Sequence, residues 1–162
     1  MDEREQLCKN LDELLETYGD MVYRVALQNM GNVADAQDAA QDVFLRILTK
    51  QPQFTSKTHE KAWILRVTIN ICKDHWKYQR LRTTVELNEN LAGSKESTNF
   101  GLLYEVMKLP VKYRNVIYLF YYEELSVAII ADILQTKEAT ILTWLHRARK
   151  QLKSRLEEGE FR

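Results

Sequence analysis

Between Glu5 and Met30, apolar Leu7, Leu11, Leu14, Leu15, Tyr18, Val22, Val25 and Leu27 recur every three or four residues, the spacing that lines one face of an α-helix. Gly19 is a candidate break inside the run. Gly31-Asn32 ends it, because glycine accepts the left-handed residue that closes a helix. Asn32 suits the cap of a second helix, with Asp35 in its first turn. That helix presents Ala36, Ala39, Ala40, Val43, Phe44, Ile47 and Leu48 and stops near Lys50, since Gln51 precedes Pro52 and is pushed out of helical geometry. A polar loop over residues 53–60 holds one aromatic, Phe54. The pattern then predicts a third helix over residues 62–81, expected to bury Trp63, Ile64, Val67, Ile71 and one of Trp76 and Tyr78.

The period vanishes over residues 83–99, where Ser, Thr, Asn and Glu dominate, the composition of a linker. Beyond it, helices are expected over residues 100–109 and 111–122, with Pro110 at the start of the second. A final pair follows. Leu125, Ile130, Ala131 and Leu134 make one stripe and Ile141, Leu145, Ala148 and Leu152 another, separated by the turn Gln135-Thr136-Lys137. Two stripes that close on each other across a tight turn describe a helix-turn-helix. The expected fold class is all-α: two small helical bundles, residues 1–82 and 100–162, joined by a flexible linker, residues 83–99.

Composition is that of a soluble globular protein, 45% hydrophobic and 28% charged, and the 5 Gly and 2 Pro favour helix over sheet. The 23 basic and 23 acidic residues cancel, so no global field marks a polyanion partner; the last third is slightly basic and the linker acidic. No apolar run approaches the roughly 18 to 20 residues that span a bilayer, and the acidic start is unlike a signal peptide. The expected location is the cytoplasm, without membrane insertion. Cys8 and Cys72 are too few for a disulfide frame or a zinc site.

No catalytic constellation emerges. His59, His75 and His146 lie in separate segments, no Gly-rich phosphate loop is present, and Asp38 with Asp42 lacks a third partner. Neither a metal nor a cofactor is expected. Asp35, Asp38, Gln41, Asp42 and Arg46 recur at offsets of three and four and make a mostly acidic strip on the second helix. It reads either as a solvated face or as a docking strip for a basic helix. In the third helix Arg66, Asn70, Lys73, Asp74, Lys77, Arg80 and Arg82 are interleaved with Trp63, Trp76 and Tyr78, a mixture suited to single-stranded nucleic acid, where bases stack and cations neutralise the backbone. The last helix concentrates Arg147, Arg149, Lys150, Lys153 and Arg155, a density that suits phosphate contacts. Turning about 100° per residue from a buried Ile141 puts Thr143, His146, Arg147 and Lys150 on the outward face.

Three passages together resemble the extracytoplasmic-function sigma factors, the group of the sigma-70 family that keeps only regions 2 and 4. Residues 35–46, DAQDAAQDVFLR, are similar to region 2.2; residues 62–74, AWILRVTINICKD, to regions 2.3 and 2.4; residues 109–116 and 145–152, LPVKYRNV and LHRARKQL, to region 4. The resemblance implies that Asp38, Gln41, Asp42, Phe44 and Arg46 dock on core RNA polymerase. It implies that Arg66, Asn70, Ile71, Cys72 and Lys73, with Lys77 and Arg80 beyond, hold an unstacked base of the minus-10 promoter element. Thr143, His146, Arg147 and Lys150 would then read minus-35 DNA in the major groove. An anti-sigma factor, often membrane-anchored, is the implied regulator.

The chain departs from the family pattern at several positions. Gln135 and Glu124 stand where a turn Gly is usual, Lys137 where a capping Ser is common, Ile129 where Glu is common, and Leu142 and Trp144 where cations often flank Thr143. An apolar group of Ile129, Leu142 and Trp144 is expected to be partly exposed and to favour a protein partner. The competing readings are a helix-turn-helix regulator that does not initiate transcription and, disfavoured by the missing site, a hydrolase or nucleotide-modifying enzyme.

Overall fold

The computed structural model describes residues 2–82 and 105–159; the expected linker, residues 83–99, lies outside the described residues. The chain forms two compact units that divide between Leu91 and Ala92, and every regular element among the described residues is helical.

The first unit contains α1 (Glu3–Met30), α2 (Val33–Lys50) and α3 (Lys57–Arg82). α1 runs through Gly19 without a break. It ends where expected: Gly31 takes φ 83° and its N–H donates to the Leu27 carbonyl at 2.9 Å. Asn32 caps α2 by accepting from the Asp35 N–H at 2.9 Å, and its own amide donates to the Asp35 carboxylate at 2.7 Å. α2 closes on Gln51 in the left-handed region, φ 44°.

The third helix begins five residues before the expected position. The Ser56 hydroxyl accepts from the His59 N–H at 3.1 Å, and this cap lets a polar first turn be helical although it buries no stripe. Val22, Val25, Ala26, Ala36, Ala39, Val43, Ile64, Leu65 and Ile69 are almost wholly buried and form the centre of this unit. Trp76 and Tyr78, of which one was expected inside, are 38% and 57% exposed. The Trp76 indole instead donates to the Asn29 carbonyl at the end of α1. Tyr18 donates to the Glu60 carboxylate at 2.7 Å; burial first, then this hydrogen bond and last the acceptor's charge push its phenol above the ordinary range.

The second unit contains α4 (Val111–Ile117), which widens into a π-helical turn at Tyr118–Tyr122, then α5 (Val127–Leu134) and α6 (Glu138–Gly159). Pro110 precedes α4, its carbonyl accepting from the Tyr113 and Arg114 N–H groups. α5 starts at Val127, past the first member of its apolar stripe, because Glu124 turns the chain at φ 55° and the Ser126 hydroxyl accepts from the Ile129 N–H at 3.2 Å. The α5–α6 turn is a Schellman closure built on a non-glycine residue. Gln135 sits at φ 53°, its N–H donates to Asp132 at 3.3 Å, and the Thr136 N–H donates to Ala131 at 3.0 Å. Ile130, Ile133, Ile141, Leu145 and Ala148 close the two helices on each other; Ile133 takes the central place expected of Leu134, which is half-buried.

Candidate nucleic-acid interface

α3 carries its polar side chains on two sides. Arg66, Asn70, Lys73 and Lys77 follow one another at offsets of four, three and four, which keeps all four within about 60° of helix rotation. Arg66 and Asn70 are half-buried; Lys73 and Lys77 are exposed. Arg80 continues this register, and its side chain lies outside the described residues. Ile71 and Cys72 do not join the face. They are 5% and 1% exposed, turned into the core by the same rotation that brings Asn70 and Lys73 out. Burial pushes the Cys72 thiol up to about 12.

The pattern missed an aromatic group at the start of this face. Phe54 meets the His59 ring edge-on at 5.5 Å and the Trp63 ring at 5.6 Å, and Trp63 and His59 sit about one and two turns before Arg66. The available signal was Phe54, an isolated aromatic in a polar loop.

On α2, Asp35, Asp38, Asp42 and Arg46 lie within about 80° of helix rotation, with Gln41 about 60° beyond Asp38. Asp38, Gln41, Asp42 and Arg46 are exposed and Phe44 is half-buried. Gln41 and Phe44 line an apolar groove with Leu11, Leu15, Leu45 and Leu48 between α1 and α2. Asp42 turns the other way and meets His75 Nε2 of α3 at 2.7 Å, and Asp35 accepts from the Gln79 amide at 2.8 Å.

On α6, Thr143, His146, Arg147 and Lys150 are all exposed and stand opposite the buried Ile141, Leu145 and Ala148. The Thr143 hydroxyl donates back to the Ala139 carbonyl at 3.0 Å, which leaves its oxygen free to accept. Arg149 is engaged within the unit: it donates to the Tyr121 hydroxyl and lies over the Phe120 and Tyr121 rings at 5.6 and 5.4 Å. The expected apolar group of Ile129, Leu142 and Trp144 is not a single patch. Residues two apart on a helix project about 200° apart; Leu142 is 57% exposed on one flank, whereas Trp144 is half-buried on the other, with Lys112 Nζ at 5.5 Å from its ring.

Comparison with known proteins bears on both units. The Sigma-70 region 2 family model matches residues 14–82, and the Sigma-70, region 4 model matches residues 102–152. The chain is 28% identical to the ECF RNA polymerase sigma factor SigW of Bacillus subtilis, an alignment that covers 89% of this chain and 87% of that protein. It is 30% identical to the ECF RNA polymerase sigma factor BldN of Streptomyces coelicolor, over 86% of this chain and 57% of that one. The chain belongs to the sigma-70 family, in its extracytoplasmic-function group.

As a sigma factor it directs core RNA polymerase to promoters and initiates transcription. The fold agrees with two solved structures: CnrH in complex with the cytosolic domain of CnrY, at TM-score 0.68 and 20% identity over 93% of this chain and 89% of that one, and the sigma factor RpoE with the anti-sigma factor NepR from Bartonella quintana, at TM-score 0.71 and 21% identity over 92% and 98%. No helix among the described residues is long and apolar enough to cross a membrane. This sigma factor holds Glu124 and Gln135 in left-handed geometry, and the recognition-helix turn keeps its hydrogen bonds at a conformational cost of about 1 kcal/mol.

Proposed function

We propose that this sigma factor works through three surfaces. Asp38, Gln41, Asp42, Phe44 and Arg46 dock on core polymerase. The face of Arg66, Asn70, Lys73 and Lys77, extended by Arg80, holds the minus-10 non-template strand, with Phe54, His59 and Trp63 at its end as a stacking group. Ile71 and Cys72 support that face from the core side instead of touching DNA. Thr143, His146, Arg147 and Lys150 read minus-35 DNA in the major groove. The observation that carries this reading is the alignment of Arg66, Asn70, Lys73 and Lys77 on one side of a continuous helix beside an aromatic group. The protein acts in the cytoplasm as an initiation factor and not as an enzyme. An anti-sigma factor is its regulator, a reading supported by the likeness to RpoE, which is bound to one.

Sequencing the transcripts made on genomic DNA by core polymerase plus this protein would identify cognate promoters. Permanganate footprinting at one of them then separates the surfaces. Asn70→Ala should abolish minus-10 opening while core binding is retained, and the Asp38→Ala, Gln41→Ala pair should weaken core binding itself. Full transcription by the pair at equimolar core enzyme would refute the docking assignment.

A further inference from the structure

Asp42 is half exposed at 49% of its side-chain surface, and one of its oxygens, Oδ2, is taken by His75 Nε2 at 2.7 Å. His75 stands about 160° around α3 from the face of Arg66, Asn70, Lys73 and Lys77, so its imidazole is turned away from that face. Its ring nitrogen reaches across the α2–α3 boundary, 33 residues along the chain. A carboxylate held by one short, charge-assisted bond keeps a single rotamer and leaves its second oxygen, Oδ1, for a cation arriving from outside. A second cross-helix bond, Gln79 to Asp35 at 2.8 Å, lies further along the same boundary. With Asn32 donating to the same Asp35 oxygen at 2.7 Å, it ties the start of α2 to the end of α3. The two helices are therefore clasped at both residues, and of the two acceptors only Asp42 is among the residues assigned to core docking.

We infer that His75 is a positioning residue for polymerase docking: it holds the Asp42 carboxylate outward in the rotamer that receives a basic side chain of the core enzyme. The inference rests on the reading of Asp42 as a docking residue. A clasp that merely stabilised the unit would act on folding and on every surface alike. Positioning acts on core affinity, and only while Asp42 is present.

The test is a double-mutant cycle in the full chain, with affinity for core polymerase measured by fluorescence anisotropy. His75→Ala should weaken core binding roughly three- to tenfold, the scale of a lost charge-assisted contact at a partly exposed site. Asp42→Ala should weaken it at least as much, and the double variant should be no weaker than Asp42→Ala alone. His75→Gln, whose amide nitrogen occupies nearly the position of Nε2, should restore most of the affinity. Melting followed by circular dichroism is expected to show every variant folded. Additive losses in the cycle, an unaltered affinity for His75→Ala beside a weakened Asp42→Ala, or no rescue by His75→Gln would each overturn the positioning role. An unaltered affinity for Asp42→Ala would remove the docking reading and the inference with it.

Discussion

Cys72 is flanked by residues assigned to promoter DNA, yet its side chain belongs to the core, and its chemistry gives a direct measure of that placement. The thiol is 1% exposed, and burial holds it near 12. At about pH 8 the native protein then carries the thiolate in roughly one molecule in ten thousand, against about one in ten for an unfolded thiol near 9. Cys8 is exposed. A disulfide reagent such as Ellman's should release one equivalent quickly, from Cys8, and the second only at the rate at which the unit opens. Mass mapping in a Cys8→Ser background assigns the slow site. Cys72→Ala removes one methylene-sized group from a packed position and leaves a small cavity, a loss of about 1 to 2 kcal/mol. That lowers the melting temperature of a unit of this size by roughly 5 to 15 °C. Below that temperature, opening of a cognate promoter should match the parent with the same base preference at minus-10. Rapid labelling of Cys72 in the folded Cys8→Ser protein, or altered minus-10 preference in Cys72→Ala, would refute the assignment of this residue to the core.

Three further outcomes are expected. Because the folded thiol of Cys72 keeps its proton well above its unfolded value near 9, its contribution is complete below about pH 9 and is lost as pH rises towards 12, by on the order of 1.4 kcal/mol per pH unit; urea titrations at pH 8 to 11 should show that slope reduced in Cys72→Ala. Gln135→Gly relieves left-handed geometry at the α5–α6 turn and should raise the stability of the second unit by about 0.5 to 1 kcal/mol, read as a higher urea midpoint with an unchanged slope. Arg147→Ala should weaken minus-35 DNA binding and reduce the salt slope by about one, whereas Arg149→Ala should leave the salt slope unchanged and lower the melting temperature, since Arg149 is engaged by Phe120 and Tyr121. Equal salt slopes for the two variants would contradict that division.

The stripes and stops that the chain spells out locally were legible. Gly31 and Asn32 mark the α1–α2 junction, and the rotation from Ile141 places Thr143, His146, Arg147 and Lys150 outside. What failed were inferences that ran along the chain where the helix turns. Ile71 and Cys72 came in with Asn70 and Lys73 as one matched stretch of the family resemblance, although each step rotates by about 100°; Leu142 and Trp144 came in as paired departures from the family pattern and sit on opposite flanks. The start of α3 was missed because the Ser56 cap opens a turn with no apolar member. The pairs Asp42–His75 and Arg149–Tyr121 span 33 and 28 residues. They depend on how two helices are phased against each other, and the period of either helix is silent on that.

α3 is unbroken over its 26 residues, roughly 39 Å at the usual rise, and it bears the Asp42 clasp on one side and the Arg66–Lys77 face on the other. The two sides are offset in angle with no joint between them, so the helix works as a cam: the orientation in which α2 seats on a partner sets where the cationic face points. Inserting one alanine between Cys72 and Lys73 would rotate the clasp, together with Lys73 and Lys77, by about 100° against Arg66 and Asn70 without deleting a single functional group. A protein so altered could keep every contact residue and still be unable to use both sides at once.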